Sequence, residues 1–128
     1  MARLVAAGWT DVTRAHSRVF ANLDRDGTRP SELARRMGVT RQAAHQTIQE
    51  LVDRGFLELG PDPKNARARR AVLTARGRRV VADARDIVRD LENTLERRIG
   101  RKRVARLRRA LESDWGAPVA EASKTQRI

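Results

Sequence analysis

Five hydrogen-bonding side chains follow one another in a short segment at helical spacing. They are Arg41, Gln42, His45, Gln46 and Gln49. At 3.6 residues per turn they share one helix face and leave the opposite face to apolar residues. Amide, imidazole and guanidinium groups in this arrangement favour hydrogen bonding to base edges and phosphates. They do not favour catalysis, which would need a nucleophile beside a base. A solvated face of a small helical hairpin is the alternative interpretation.

The helix that carries these side chains is expected to begin after Thr40, which is a good N-cap residue. Its apolar positions are Ala44, Ile48, Leu51 and Val52. A shorter helix precedes it, with Pro30 as the residue that stops any upstream helix and Ser31 as the expected N-cap. Its apolar positions are Leu33, Ala34 and Met37. Gly38 accepts the left-handed conformation of a C-terminal cap. Small residues on both helices allow a close crossing, so the segment predicts a helix-turn-helix.

A basic hairpin is predicted directly after this unit. Residues 56–60 alternate like a strand, the prolines of 61–68 indicate a loop, and 69–73 are the expected returning strand. No acidic residue lies between Asp62 and Asp83. The basic residues in that interval are Lys64, Arg67, Arg69, Arg70, Arg76, Arg78 and Arg79. Such a hairpin can contact phosphates or enter a minor groove, although arginine-rich coding could also produce a merely solvated hairpin.

Composition supports a polyanionic partner. The chain has 128 residues and a net charge of +12, from 28 basic and 16 acidic residues. All but three of the basic residues (Lys64, Lys102 and Lys124) are arginine, a bias that GC-rich coding could cause, so the distribution of charge is better evidence than its total. The absence of cysteine excludes disulfides and thiolate metal sites. With no signal segment, catalytic motif or metal motif, we expect a cytoplasmic, cofactor-free protein that is not an enzyme.

Two helices are predicted to close the chain. Thr74 should cap a helix over 75–98, about 35 Å long. Its apolar stripe is Val80, Ala84, Ile87, Val88, Leu91, Leu95 and Ile99. After Gly100 a last helix is expected to reach residue 114, with Val104, Leu107, Leu111 and Trp115 on its apolar side. The stripe needs a second surface, which favours a homodimer. The following basic cluster is expected to be a solvated face: Arg97, Arg98, Arg101, Lys102, Arg103, Arg106, Arg108 and Arg109.

The order of three helices and a hairpin resembles the MarR family of bacterial transcriptional regulators over residues 10–110. The motifs that carry the resemblance are SELARRMGV (31–39), LVDRGFL (51–57), PDPKNARARRAVLT (61–74) and LTARG (73–77). The resemblance implies a mainly α, winged helix-turn-helix protein with a two-stranded wing and C-terminal dimerisation helices. It implies a homodimeric DNA-binding protein, usually a repressor, that releases DNA when a small aromatic molecule binds.

Site residues carry over from the family by position. The implied DNA-binding residues are Ser31, Thr40, Arg41, Gln42, His45, Gln46, Gln49, Lys64, Asn65, Arg67 and Arg69. Where many members have Thr-Arg on the groove-facing turn, this chain has His45 and Gln46. Asn65 replaces the usual aspartate two residues before the wing-tip arginine. Trp9 and His16 are candidate effector contacts; core packing and a satisfied buried histidine are the alternatives.

The expected organisation has four parts: residues 1–11 are a remnant of the family's N-terminal helix, 12–77 the DNA-binding region, 78–115 the dimerisation helices, and 116–128 a flexible tail. Within 1–11 the helical residues are 2–7, and a further helix is expected over 12–23. The expected function is a sequence-specific double-stranded DNA-binding transcription regulator with a pseudo-palindromic operator. Two alternatives remain: a DNA-binding protein that senses no ligand, and a winged helix that binds an acidic protein partner.

Overall fold

The computed structural model describes residues 1–116. Its elements are α1 (Ala2–Ala6), α2 (Arg14–Asn22), α3 (Pro30–Met37), α4 (Arg41–Asp53), β1 (Leu57–Asp62), β2 (Asn65–Leu73), α5 (Ala75–Ile99) and α6 (Arg101–Glu112). The mainly α fold with a two-stranded wing is therefore confirmed. The chain divides into two compact units, one ending at Asp90 and the other beginning at Leu91. Of the predicted tail, 116–128, all residues from 117 onward lie outside the part of the chain that the structure describes.

The core of the first unit lies among α2, α3, α4 and the start of the wing. Its largest fully buried apolar side chains are Phe56, Leu33, Ile48, Leu51, Leu57, Val19 and Val80. Ala34 and Ala44 are also buried, on the two helices predicted to cross closely. Three of the four predicted apolar positions of α4 are buried, and Val52 packs partly buried against the same core. Burial of this stripe leaves the polar side of α4 facing solvent.

Local signals determine both sides of the turn between α3 and α4. Gly38 has φ 63° and ψ 37°, the predicted left-handed cap. The Thr40 hydroxyl accepts a hydrogen bond from the Ala43 amide at 3.1 Å, as its N-cap role predicts. The predicted start of α3 is wrong: Pro30 is its first residue and Arg29 its N-cap, so Ser31 lies inside the helix. Proline has the helical φ and lacks an amide hydrogen that the first turn would leave unbonded, so it begins a helix as readily as it ends one.

The wing is longer than the sequence predicts. β1 pairs antiparallel with β2 from Leu57↔Leu73 to Asp62↔Asn65. The predicted loop over 61–68 is therefore wrong, because only residues 63 and 64 connect the strands. Pro61 is tolerated because β1 is an edge strand, where a missing amide hydrogen disrupts no sheet. A further contact was not predicted: Thr28 and Ala71 exchange backbone hydrogen bonds of 3.1 and 2.9 Å on the other side of β2.

The start of α5 is joined to the base of the wing. As predicted, Thr74 caps this helix, since its hydroxyl accepts the Gly77 amide hydrogen at 3.0 Å. The same hydroxyl lies 2.6 Å from the Gly55 carbonyl oxygen, to which it donates. Gly77 is buried, and a Cβ atom there would lie 2.1 Å from the Phe56 carbonyl oxygen. Only glycine allows this approach of helix and strand.

The N-terminal helices are shorter than predicted. α1 ends at Ala6, and α2 occupies Arg14–Asn22 within the predicted 12–23. Thr13 and His16 form a reciprocal capping box at the start of α2. This box explains why the helix does not begin at residue 12, because Thr13 must be extended to cap it.

The second unit contains the end of α5 and all of α6. Val104 is buried, but Leu91, Ile99, Leu107, Leu111 and Trp115 are exposed in the single chain. α6 ends at Glu112, two residues before the predicted end. The basic cluster is exposed, as predicted. Among residues 1–116, none of the helices combines the length and apolar character needed to cross a lipid bilayer.

Candidate nucleic-acid interface

The outer face of α4 presents its polar side chains to solvent. Gln42, His45 and Gln46 are exposed, while the buried residues of the helix point into the core. A shallow depression on this face is lined by Gln42, His45, Gln46, Gln49, Glu50 and Asp53. The structure thus brings together four of the predicted DNA-binding residues on one helix surface.

The C-terminal end of this face is occupied by contacts within the protein. The Gln49 amide donates to Asp53 Oδ1 at 2.9 Å. Glu50 Oε2 lies 3.1 Å from His16 Nε2, so this carboxylate joins α4 to α2. The first two turns of α4 contain no acidic residue, whereas these two carboxylates follow them. A polyanion would therefore meet the N-terminal half of the helix more favourably than its end.

Ser31 and Arg41 lie at the N-terminal side of the same surface. Both line a second shallow depression, between the start of α3 and the start of α4. Both side chains are exposed. The N-termini of α3 and α4 both lie at this depression, and the positive end of a helix dipole suits phosphate oxygens.

Two arginines on α3 are neutralised by neighbouring carboxylates, which the sequence analysis did not predict. Arg35 donates to Glu32 at 2.6 Å, and Arg36 contacts both Glu32 and Asp24. Hydrogen bonds from Arg35 and then Arg36 lower the pKa of Glu32 to about 2. The hydrogen bond from Arg36 likewise lowers the pKa of Asp24. These cations are already paired and add little attraction for a polyanion.

The tip of the wing is cationic and exposed. Lys64, Asn65 and Arg67 are all exposed, and no ion pair to the Lys64 or Arg67 side chain is present in residues 1–116. Asn65 Oδ1 accepts the Arg67 amide hydrogen at 3.1 Å, which shapes the turn. Arg69, two residues farther along β2, donates to the Leu59 carbonyl oxygen at 3.3 Å across the sheet.

Asp62 supplies the carboxylate that Asn65 lacks. Its side chain is 3% exposed. Oδ1 accepts the Lys64 amide hydrogen at 2.9 Å, and Oδ2 accepts a hydrogen bond from Arg29. The Lys64 amide and then the Arg29 guanidinium lower the pKa of this carboxyl. The Asp-Pro dipeptide before the tip was the available sequence signal, but its partner lies 33 residues away and could not be identified from spacing.

Several arginines of the predicted basic hairpin are bound to the protein itself. Arg70 donates to the Asp26 carbonyl oxygen, and Arg78 donates to the Leu73 carbonyl oxygen at 2.9 Å. Arg76 pairs with Asp11 at 2.7 Å, and its guanidinium carbon lies 4.6 Å from the ring centroid of Phe56. The cationic surface is therefore concentrated at the tip of the wing.

The two candidate effector residues have partners within the first unit. The Trp9 indole donates to Asp83 Oδ2 at 2.7 Å, and its ring lies 5.9 Å from that of Phe56. His16 is fully buried, its Nδ1 accepts the Thr13 amide hydrogen at 3.1 Å, and its Nε2 faces Glu50. These contacts match the packing alternatives given above. Effector binding at Trp9 and His16 stays a prediction.

Comparison with known proteins gives a family match over part of the chain. Residues 10–68 match the model of the MarR family. Among curated protein sequences, none matches this chain significantly. Among solved structures, the transcriptional repressor CouR bound to a 23-mer DNA duplex has a TM-score of 0.67 at 27% identity, covering 85% of this chain and 77% of CouR. Streptococcus pneumoniae FabT in complex with DNA has a TM-score of 0.68 at 14% identity, covering 80% and 73%.

A third structure, the MarR family transcription regulator SP03579, has a TM-score of 0.67 at 20% identity, covering 78% of this chain and 67% of its own. The order of helices and wing is thus that of MarR regulators, and the family model covers the helix-turn-helix and the first part of the wing. The resemblance indicated by the sequence motifs is confirmed: residues 10–68 match the MarR family model, and the fold is similar to that of MarR-type structures.

Proposed function

We propose that this protein is a sequence-specific double-stranded DNA-binding transcription regulator, not an enzyme. One observation carries the proposal: an exposed amide and imidazole face, free of acids over its first two turns, lies in the same compact unit as an exposed cationic wing tip. The DNA-bound structures of CouR and FabT, which share the fold, support it.

In the proposed complex α4 enters the major groove. Gln42, His45 and Gln46 contact base edges, because their side chains are exposed and carry donors and acceptors. Lys64 and Arg67 bind phosphates or the adjacent minor groove and contribute sequence-independent affinity. Ser31, Thr40 and Arg41 lie near helix N-termini and position the protein on the backbone.

We propose that the protein acts as a homodimer. The second unit exposes Leu91, Ile99, Leu107 and Leu111, with fractions of 48%, 37%, 47% and 62%. Apolar surface on this scale marks an interaction site. A second copy of the chain fits it, because a two-fold homodimer matches an operator with two equivalent half-sites. A homodimer would bind a pseudo-palindromic operator with half-sites about one helical turn apart.

Repression and its release by a small aromatic effector are the finer part of the proposal. The description of CouR as a repressor supports the first. The second rests on the family resemblance alone, with Trp9 and His16 as the candidate contacts. Thermal unfolding with increasing aromatic acid should show a midpoint that rises with ligand concentration, and the same ligand should release bound DNA. A midpoint that is constant across a panel of such acids would remove the effector from the proposal.

Selection of fragments from a random duplex library tests the central claim. The full chain at moderate salt should enrich an inverted repeat, and the mass of the complex should correspond to two chains per duplex. Affinity for the enriched sequence should fall as salt rises, because phosphate contacts release counterions. Recovery of random sequence only, or binding to acidic protein but not to duplex, would contradict the proposal.

A further inference from the structure

Resting on the proposed function, we infer that Gln42 and Gln46 are the specificity-determining residues of α4 and that each selects adenine in the major groove. The three glutamines of the outer face are not equivalent. The amide of Gln49 is held by Asp53 at 2.9 Å. The exposed side chains of Gln42 and Gln46 make no side-chain hydrogen bond in residues 1–116.

The chemistry of a free carboxamide favours adenine over the other bases. Its oxygen accepts from the adenine N6 amino group while its nitrogen donates to N7, which gives two hydrogen bonds in one plane. Guanine presents acceptors at both N7 and O6, so the amide oxygen would face another acceptor. Each base edge offers a different pattern, and the amide matches both adenine groups at once.

Spacing along the helix predicts how far apart the two adenines lie. Four residues at 1.5 Å per residue separate Gln42 and Gln46 by about 6 Å along the axis. Successive nucleotides rise about 3.4 Å on each strand, so a helix lying along the groove spans roughly two base-pair steps between these residues. Both side chains lie on one face, since residues four apart are neighbours on a helix surface.

The groups around Gln42 and Gln46 leave adenine selection to these two residues. Glu50 and Asp53 place carboxylates after the second turn, where phosphate oxygens would be repelled. The imidazole of His45 can donate or accept, so it discriminates weakly between bases. Arg41 would favour guanine if it reached a base edge. Adenine preference in the half-site therefore belongs to the two free amides.

The test compares library selections by the full chain and by Gln42→Ala, Gln46→Ala and the control Asn93→Ala, which removes an exposed carboxamide from α5, outside the proposed interface. The parent should enrich two adenines about two steps apart in each half-site. Each of the first two variants should lose preference at one adenine only, while Asn93→Ala keeps both. Because these side chains are exposed, we expect all three variants to fold, and circular dichroism checks that they do.

A chemical probe sharpens the assignment. Replacing one selected adenine with 7-deazaadenine removes the N7 acceptor, one of the two hydrogen-bonding groups, and should weaken parent binding about 2- to 10-fold. The variant that lacks the matching glutamine should bind both duplexes equally. A parent that enriches no motif overturns this inference together with the proposed function. An enriched motif that survives both substitutions, or that holds other bases at these positions, overturns the inference and leaves DNA binding intact.

Discussion

The wing has two regions of opposite character. Its root, formed by Thr28, Phe56, Ala71 and Gly77, is buried and held by backbone contacts. Its tip, Lys64 to Arg67, is exposed and cationic, and neither Lys64 nor Arg67 has an ion-pair partner among residues 1–116. Positioning and affinity are therefore separated in this hairpin: packing at the root determines where the tip lies, and the tip provides the charge for binding. Changes at the root should therefore affect folding, and changes at the tip should affect binding.

The largest effect is expected from Gly77→Ala. The added Cβ would lie 2.1 Å from the Phe56 carbonyl oxygen, a backbone atom that cannot move without displacing the strand. We expect the free energy of unfolding to fall by about 3 kcal/mol, at the upper end of overpacking costs. Urea unfolding followed by circular dichroism measures it.

Gly38→Ala is the matched control for that substitution. Its Cβ would meet nothing within 4 Å, so only the backbone conformation, with φ +63°, opposes it. A loss of about 1 kcal/mol is expected. Equal losses for the two variants would show that the close approach at the root is not important for stability.

At the tip, Arg67→Ala should leave stability unchanged and weaken binding to all duplexes about tenfold per protomer, because each protomer loses one charge-assisted phosphate contact. The slope of log affinity against log salt should decrease in magnitude by about 0.9 for each phosphate contact removed. Arg25→Ala removes the same charge from an exposed position outside the interface and is the control. If both variants have the parent's slope, the tip does not bind phosphates.

The smallest effect should come from Asp62→Asn, at the boundary between root and tip. Because the Lys64 amide and Arg29 hold the pKa of Asp62 below its ordinary value of 3.8, ionised Asp62 stabilises the folded state above that pH. This stabilisation is lost as pH falls through the lowered pKa. Asp62→Asn should reduce stability at neutral pH and flatten the decline below pH 3.8.

Unfolding by urea at a series of acidic pH values checks that expectation. Asp26→Asn, which makes the same charge change at an exposed side chain, is the control. A variant at Asp62 whose stability follows the parent's pH profile at every point would show that the Asp62–Arg29 pair does not stabilise the wing.

Local signals in the sequence were sufficient for much of the fold. Gly38, Thr40 and Thr74 mark helix ends because their own backbone or hydroxyl does the capping, and the apolar stripe of α4 determines its buried side. Position also predicted which α4 side chains would be exposed. These features depend on neighbours within a few residues, which a sequence displays directly.

Features that depend on distant partners were not predictable in this way. The pairs Arg29–Asp62 and His16–Glu50 join residues 33 and 34 positions apart. The Gln49 amide is engaged because its side chain adopts a rotamer that donates to Asp53. Their spacing along the helix permits this rotamer but does not require it. The start of α3 was misassigned because proline can both end one helix and begin another.

The contact at Gly77 also has a mechanical consequence. Because Gly77 has no side chain, the first turn of α5 packs directly against the main chain that enters β1. The Thr74 hydroxyl is hydrogen-bonded both to this turn and to that main chain. A rotation of that turn would therefore press on the Phe56 carbonyl itself, since no side chain lies between them to absorb it. The start of α5 and the entry to the wing are thus coupled at the main chain, so the orientation of the first turn helps to fix where the hairpin that carries Arg67 begins.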